Sequence, residues 1–177
     1  MPNILIEEKG KYGIDCTEAV WATDEVHKLY HQSKLSRLCD TDFLIETEDH
    51  IFLVEYKNAN VPEALAHVKV EDEYNPFNEK KFDTLIRKYY DTLHYLRLRN
   101  KMKTTKYIFV VEYPKGDSTS RKLLRNRMKK QLPFRLQTDM GVLEPLIDEV
   151  AVVNIQEWND NPIYGIYPIK PVTSGGT

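Results

Sequence analysis

The sequence predicts an α/β domain in which helices flank a central mixed β-sheet. Two apolar segments, 43–45 and 51–54, are rich in β-branched and aromatic residues, and the polar stretch 46–50 between them suits a hairpin loop. A long helical pattern follows, and then a strongly apolar strand at 106–112. A strand–helix–strand order favours a parallel, right-handed crossover, so the last strand is predicted to lie beside the second strand of the hairpin.

The long helix is the clearest element in the sequence. Asn78 is suited to cap its first turn. Apolar side chains then recur at the spacing of one helical face, which must pack on a sheet or on another helix. These side chains are Phe82, Leu85, Ile86, Tyr89, Tyr90, Leu93 and Leu96.

Length and composition predict a single domain at 1–158 followed by an irregular C-terminal tail at 159–177. The chain has 177 residues, which is enough to bury a core, and the tail carries several prolines and a Ser-Gly-Gly sequence near its end. No leader-like start and no apolar run of the length of a membrane span is found. The expectation is therefore a cytoplasmic protein with two free cysteines and no membrane partner.

Charge is distributed unevenly along the chain. Residues 1–79 contain 17 acidic and 7 basic residues, whereas residues 80–135 contain 17 basic and 4 acidic residues. A basic third of this kind indicates a surface that binds a polyanion such as nucleic acid.

Three charged residues stand at one end of the predicted hairpin. Asp42 precedes its first strand, and Glu55 and Lys57 close its second strand on one face. Antiparallel pairing would bring Asp42 beside Glu55, and two carboxylates on apolar strands suit a hard divalent cation such as Mg²⁺ or Mn²⁺. Asp40 is a competing ligand. The alternative is an ordinary edge hairpin with a solvated Glu–Lys pair.

The order Asp42, apolar strand, turn, apolar strand and Glu55-Tyr56-Lys57 resembles the PD-(D/E)xK nuclease superfamily, although Thr41 stands where the Pro of the motif would be. The resemblance implies a restriction-endonuclease-like core of the αβββαβ type. It also implies that Asp42 and Glu55 bind Mg²⁺ or Mn²⁺ and that Lys57 places or helps to deprotonate the attacking water. The expected activity is hydrolysis of DNA phosphodiester bonds.

The resemblance also suggests a further metal ligand on a helix before the hairpin. Asp15 and Glu18 have the spacing of a capping box, which predicts a helix from about residue 15 to residue 33. Glu18 would lie on its first turn and Glu25 two turns later, so Glu18 is the candidate ligand and Glu25 the alternate. Glu18 could equally serve only as the reciprocal cap.

Candidate phosphate contacts lie in the basic third. Lys81 and Lys88 flank the apolar face of the long helix, and Arg121, Lys122 and Arg125 belong to a basic helix predicted to begin near residue 118. For each of them a solvated surface position is the plain alternative.

A second function is open at this point: a degenerate nuclease fold that binds nucleic acid or protein without catalysis. The choice between DNA and RNA is also open, and a homodimer is compatible with the sequence.

Overall fold

The computed structural model describes residues 3–66, 73–141 and 144–172. It is an α/β structure with a five-stranded mixed sheet, a second sheet of three strands, and helices. In chain order the elements are β1 (Ile4–Ile6), β2 (Tyr12–Asp15), β3 (Trp21–Thr23), α1 (Val26–Gln32), β4 (Phe43–Glu46), β5 (His50–Asn58), α2 (Pro62–Leu65), α3 (Glu79–Leu98), β6 (Thr104–Glu112), α4 (Ser118–Gln131), α5 (Phe134–Asp139), β7 (Ile147–Val153), α6 (Ile155–Asp160) and β8 (Ile169–Pro171).

The five-stranded sheet has the order β3-β4-β5-β6-β7. The first two pairings are antiparallel, whereas β5–β6 and β6–β7 are parallel. The predicted hairpin and the parallel position of β6 beside β5 are thus confirmed. In the hairpin register Phe43 is opposite Val54, so the residues just beyond this pair, Asp42 and Glu55, face each other across the two strands.

Side chains alternate along the central strands and fill two separate cores. Leu53 and Phe109 point to the face covered by α1, α3 and α4. Val54 and Ile108 point to the other face, which is covered by the small β1-β2-β8 sheet and by α6. Because both faces are covered, β5 and β6 each contain a continuous apolar run, at 51–54 and 107–111, as parallel strands buried on both faces do.

Helix α3 forms as predicted. The Asn78 side chain caps it by accepting a hydrogen bond from the Lys81 backbone N–H at 3.3 Å. Its buried face packs over the sheet, and the Tyr107 hydroxyl of β6 donates to the Leu85 carbonyl at 2.7 Å. These contacts therefore fix the position of α3 over the sheet.

The helix predicted from residue 15 to residue 33 is wrong over its first ten residues. Asp15 ends strand β2, and its carboxylate accepts hydrogen bonds from the Thr17 backbone N–H at 3.1 Å and hydroxyl at 2.6 Å. This local turn competes with a helical cap. Residues 21–23 instead form β3 at the sheet edge. Helix α1 lies between β3 and β4, whereas the αβββαβ order requires a helix before all three strands.

The predicted irregular tail from residue 159 is also wrong for the part that the structure describes. Trp158, Tyr164 and Tyr167 are almost fully buried, and β8 pairs with β2. The Trp158 indole N–H donates to the Tyr167 carbonyl at 2.7 Å and its ring stacks on Tyr164. The domain therefore continues past residue 158, because these aromatic side chains cover the second face of the sheet.

None of the helices in residues 3–66, 73–141 and 144–172 is long and apolar enough to cross a membrane.

The buried tail predicts that Trp158→Ala will destabilise the whole domain. Loss of a fully buried indole leaves a cavity and an unpaired carbonyl, and we expect a loss of about 3–5 kcal/mol in the free energy of unfolding. Urea denaturation measures it, with the exposed Leu123→Ala as the control that should change little. A loss as small as that of the control would contradict the packing of the tail.

Candidate active site

The candidate site lies where β5 ends and the chain enters β4. Glu55 is buried on β5, and Asp42 stands opposite it, one residue before β4. The Tyr56 backbone N–H donates to Asp42 Oδ2 at 2.7 Å, which fixes the Asp42 side chain against the hairpin. The strand pairing thus holds two carboxylates side by side on the face that α3 covers.

Lys88 of α3 neutralises part of this charge. Its ammonium donates to both Glu55 oxygens at 2.7 Å and lies 3.8 Å from Asp42 Oδ1. The contact exists because α3 crosses the sheet with its Lys88 flank above β5. Two carboxylates and one ammonium leave the cluster with a net negative charge when all three are ionised.

Burial and mutual repulsion alter the protonation of this cluster. Burial, followed by the charge of Asp42, raises the pKa of Glu55 to about 8, although Lys88 opposes the rise. Burial also raises the pKa of Asp42; the 37% of its side chain that is exposed lines a cleft in the protein. The pKa of Lys88 is raised as well, because the charges of Glu55 and Asp42 outweigh the effect of its burial.

Asp42 and Lys88 open into a cleft of about 550 Å³. Asp40, the competing ligand, lines it too; the side chain is buried, and its Oδ1 lies 3.1 Å from His27 Nδ1. The charge of Asp40 raises the pKa of both Asp42 and Glu55, so it is close enough to act on the pair. Other acidic side chains complete a negative lining: Glu7, Glu8 and Asp24.

The structure does not bring Glu18 or Glu25 to the carboxylate pair. Glu18 is exposed in the turn after β2, and its charge acts on Tyr167, which packs on the opposite face of the sheet. Glu25 precedes α1 with 61% of its side chain exposed and contacts Lys28 at 3.4 Å. Within residues 3–66, 73–141 and 144–172, no group of three or more His, Cys, Asp or Glu side chains is arranged to hold a metal ion.

Lys57 projects beyond Glu55 on the same strand but does not share the contact that Lys88 makes. It lines a small cavity of about 60 Å³ together with Asp42, and a second cavity of about 190 Å³ together with Tyr74 and Lys81. The ammonium groups of Lys57 and Lys81 lie 5.6 Å and 4.8 Å from the centre of the Tyr74 ring. Lys57 and Lys81 therefore meet at the Tyr74 ring, and Lys57 also borders the cavity that Asp42 lines.

Much of the basic third is used for internal ion pairs. Arg121 is buried, and its guanidinium donates to the two Glu157 oxygens at 2.9 and 2.6 Å and to the Gly116 carbonyl. These internal partners already occupy the guanidinium, and its contact with phosphate stays a prediction. Lys122 and Arg125 stay exposed on α4 and remain candidates. Other internal pairs join basic residues of this third to acidic partners: Lys101 and Lys103 to Glu46, Lys106 to Asp148 and Glu149, and Arg127 to Glu79.

Sequence reasoning assigned the wrong surroundings to some residues and missed others. The sequence predicts that Lys88 contacts phosphate, whereas its ammonium contacts the carboxylates. Its position on the flank of α3 is the sequence feature that could have indicated this contact. His27 on α1 is largely exposed, and it contacts Asp40 and lines the cleft. Tyr74 carries no sequence signal, because its loop is brought to Lys57 only by the position of α3.

Comparisons with protein-family models, with curated proteins and with solved structures find no match for this chain.

The raised pKa of Glu55 predicts a pH dependence of stability. Between its ordinary value of 4.5 and about 8, the folded state holds a proton that the unfolded state releases. This contribution to stability is present at acid pH and is lost as the pH rises towards 8. Glu55→Gln removes it, so wild type should lose stability relative to Glu55→Gln as the pH rises from 5 to about 8.

Urea unfolding of both proteins at several pH values measures this difference, with the exposed Glu48→Gln as the matched control. Parallel stability curves for wild type and Glu55→Gln across this range would show that Glu55 is not perturbed by its surroundings.

Proposed function

We propose that the chain is a metal-dependent phosphodiesterase that hydrolyses DNA, with a restriction-endonuclease-like core and a site of the PD-(D/E)xK type. The observation that carries the proposal is the pair of buried Glu55 and partly exposed Asp42, held side by side by strand pairing and already in contact with a cation, the Lys88 ammonium. Two like charges in one buried place are costly unless a positive partner joins them.

The pair fits Mg²⁺ or Mn²⁺. Both ions take carboxylate oxygens, and Mg²⁺ needs only one or two of them because it keeps several waters. The repulsion from Asp42 that raises the pKa of Glu55 is the repulsion that a divalent ion would relieve. Asp42 and Glu55 would hold the ion, and Asp40 is near enough to strengthen its attraction. When bound, such an ion polarises a phosphoryl oxygen and lowers the pKa of water.

The lysines would divide the remaining work. Lys88 holds the two carboxylates together in the metal-free protein and has to move its ammonium when the pair takes another cation. Lys57, which borders the cavity that Asp42 also lines, would place or help to deprotonate the attacking water and stabilise charge on the phosphate.

DNA is proposed as the substrate on the basis of exposed cationic side chains. Those of α4 have no carboxylate within ion-pair distance among the described residues, and they are free to contact phosphates: Lys122, Arg125, Lys129 and Lys130. The acidic cleft beside Asp42 would repel a phosphate backbone in the absence of divalent ions, so metal and DNA should bind with positive coupling. Affinity should fall steeply with salt, because each neutralised phosphate releases counterions.

One observation favours a second function. Neither Glu18 nor Glu25 supplies a third ligand, and a site with two carboxylates binds metal more weakly. A catalytically inactive nuclease fold that binds nucleic acid is therefore the alternative, and the same experiment separates the two.

Plasmid nicking with Mg²⁺, Mn²⁺ and EDTA tests the proposal. Wild type should nick with either ion and not with EDTA. Lys57→Ala should lower the rate by ~10²–10³ while DNA affinity is largely retained, because this group acts on the transition state. Asp42→Asn and Glu55→Gln should be at least as damaging, since both would remove an anionic ligand.

Two variants serve as matched controls: Glu48→Gln in the hairpin turn and Lys28→Ala on α1, both exposed. Both should nick as wild type does. If wild type fails to cleave with every divalent ion tested while the protein and its variants still bind DNA, catalysis is excluded and the binding function stands.

A further inference from the structure

We infer that the cavity between Lys9, Lys57 and Lys81 is a subsite for one phosphate of the substrate strand, next to the phosphate that is cleaved. This cavity, the lysine pocket, has a volume of about 190 Å³ and includes Tyr74 in its lining. That the phosphate belongs to a DNA strand rests on the proposed function. That the pocket binds a phosphate at all is argued from the geometry of the pocket.

Three lysines reach the lysine pocket from three separate elements. Lys9 lies in the β1–β2 turn, Lys57 on β5 and Lys81 in the first turns of α3. Convergence of like charges from distant parts of a chain is unfavourable unless an anion joins them. Lys9 and Lys81 are exposed, so an anion can reach them from solvent, and the convergence of all three lysines on one cavity points to an anionic ligand.

The charges in the lysine pocket are not used within the protein. Among the described residues, none of the three lysines has a carboxylate within ion-pair distance, whereas nearby Lys11 is paired with Glu63. Glu73, a carboxylate in the pocket lining, is 3.3 Å from Lys115. The aromatic face of Tyr74 instead steadies Lys57 and Lys81, as a ring does for an ammonium group.

The size of the lysine pocket limits what can enter it. Cavities that hold whole drug-sized ligands measure about 300–1,000 Å³, so this one suits a single compact anion and not a complete nucleotide. An ammonium is a point charge with three donors, which matches a phosphate without demanding a fixed orientation.

The lysine pocket also lies next to the carboxylate pair. Lys57 borders both this pocket and the small cavity that Asp42 lines. Burial, followed by the charge of Glu55, raises the pKa of the Tyr74 hydroxyl, which places that ring within electrostatic reach of the pair. On the other side of Asp42 lies the acidic cleft of about 550 Å³. The two sides differ in charge, so a strand is held by its phosphate on the lysine side only.

Inorganic phosphate and two single variants test the lysine pocket without catalysis. NMR titration of metal-free protein with phosphate should give saturable shifts around Tyr74. Lys81→Met should weaken phosphate binding by at least about tenfold, the scale of one charged hydrogen bond. Lys80→Met, the same change on the neighbouring exposed residue that does not line the pocket, should leave affinity within about twofold.

A second measurement uses DNA strands in which one linkage is an uncharged methylphosphonate. Wild type should cleave slowly the one bond that lies at a fixed distance to one side of the neutral linkage, because the uncharged linkage then occupies the lysine pocket. In Lys81→Met the neutral linkage should no longer slow cleavage, because the ammonium that the phosphate charge would contact is already absent. Lys80→Met should keep the interference.

The outcomes separate the two proposals. Phosphate binding that Lys81→Met weakens and Lys80→Met does not supports the lysine pocket even if no cleavage is found, in which case only the nuclease function fails. Equal phosphate affinity in both variants, or symmetric interference that persists in Lys81→Met, overturns the lysine pocket and leaves cleavage by the carboxylate pair untouched.

Discussion

The pairing of β4 with β5 places the buried carboxylate of Glu55 next to the partly exposed carboxylate of Asp42, and much of the molecule is arranged around that constraint. In the register Phe43 opposite Val54, Asp42 cannot avoid Glu55. A slip by one residue would move every side chain of the strand to the other face. The apolar residues of both strands prevent such a slip, because each belongs to one of two cores. The core residues therefore fix the geometry of the charged ones.

The cost of this juxtaposition explains the position of Lys88. Removal of two anions from water is unfavourable, and one ammonium that contacts both oxygens of Glu55 offsets part of the cost. Helix α3 can supply it only because its apolar stripe sits rigidly on the sheet, anchored by Tyr107 and capped by Asn78. The long helix is thus both a core element and the carrier of a charge for the site.

The same helix carries the second group of charges. Lys81 is about two turns before Lys88 on the same side of α3, so one helix flank reaches the carboxylates with one lysine and the lysine pocket with another. This arrangement gives the site two distinct surroundings, an acidic cleft and a basic pocket. Under the proposed function, the acidic cleft would serve the cation and the basic pocket would serve the polyanion.

Sequence patterns predicted the parts of the fold that depend on periodicity. The hairpin, α3 and the parallel strand β6 follow from apolar spacing, and the closeness of Asp42 to Glu55 follows from hairpin geometry alone. The order of the early elements did not follow, because Asp15 forms a local turn with Thr17 that looks like a helix cap in sequence. The tail was misjudged because proline and glycine suggested irregular chain, although its aromatic residues bury on the sheet.

The site was predictable only as far as neighbouring strands define it. The contact of Lys88 with Glu55 joins residues 33 positions apart through the packing of a helix, and no local pattern encodes that distance. The internal pairing of Arg121 with Glu157 is likewise invisible in a count of charges, since it depends on α4 meeting α6. Charge counts along the chain overestimate the surface available to a polyanion for this reason.

A crystal structure of the protein with Mn²⁺, with anomalous diffraction to locate the ion, tests the central claim most directly. The account predicts one Mn²⁺ bound by carboxylate oxygens of both Asp42 and Glu55, with the Lys88 ammonium moved away from Glu55. An ion bound elsewhere at saturating Mn²⁺, with Lys88 still holding both Glu55 oxygens, would show that the carboxylate pair is a structural ion pair and not a metal site.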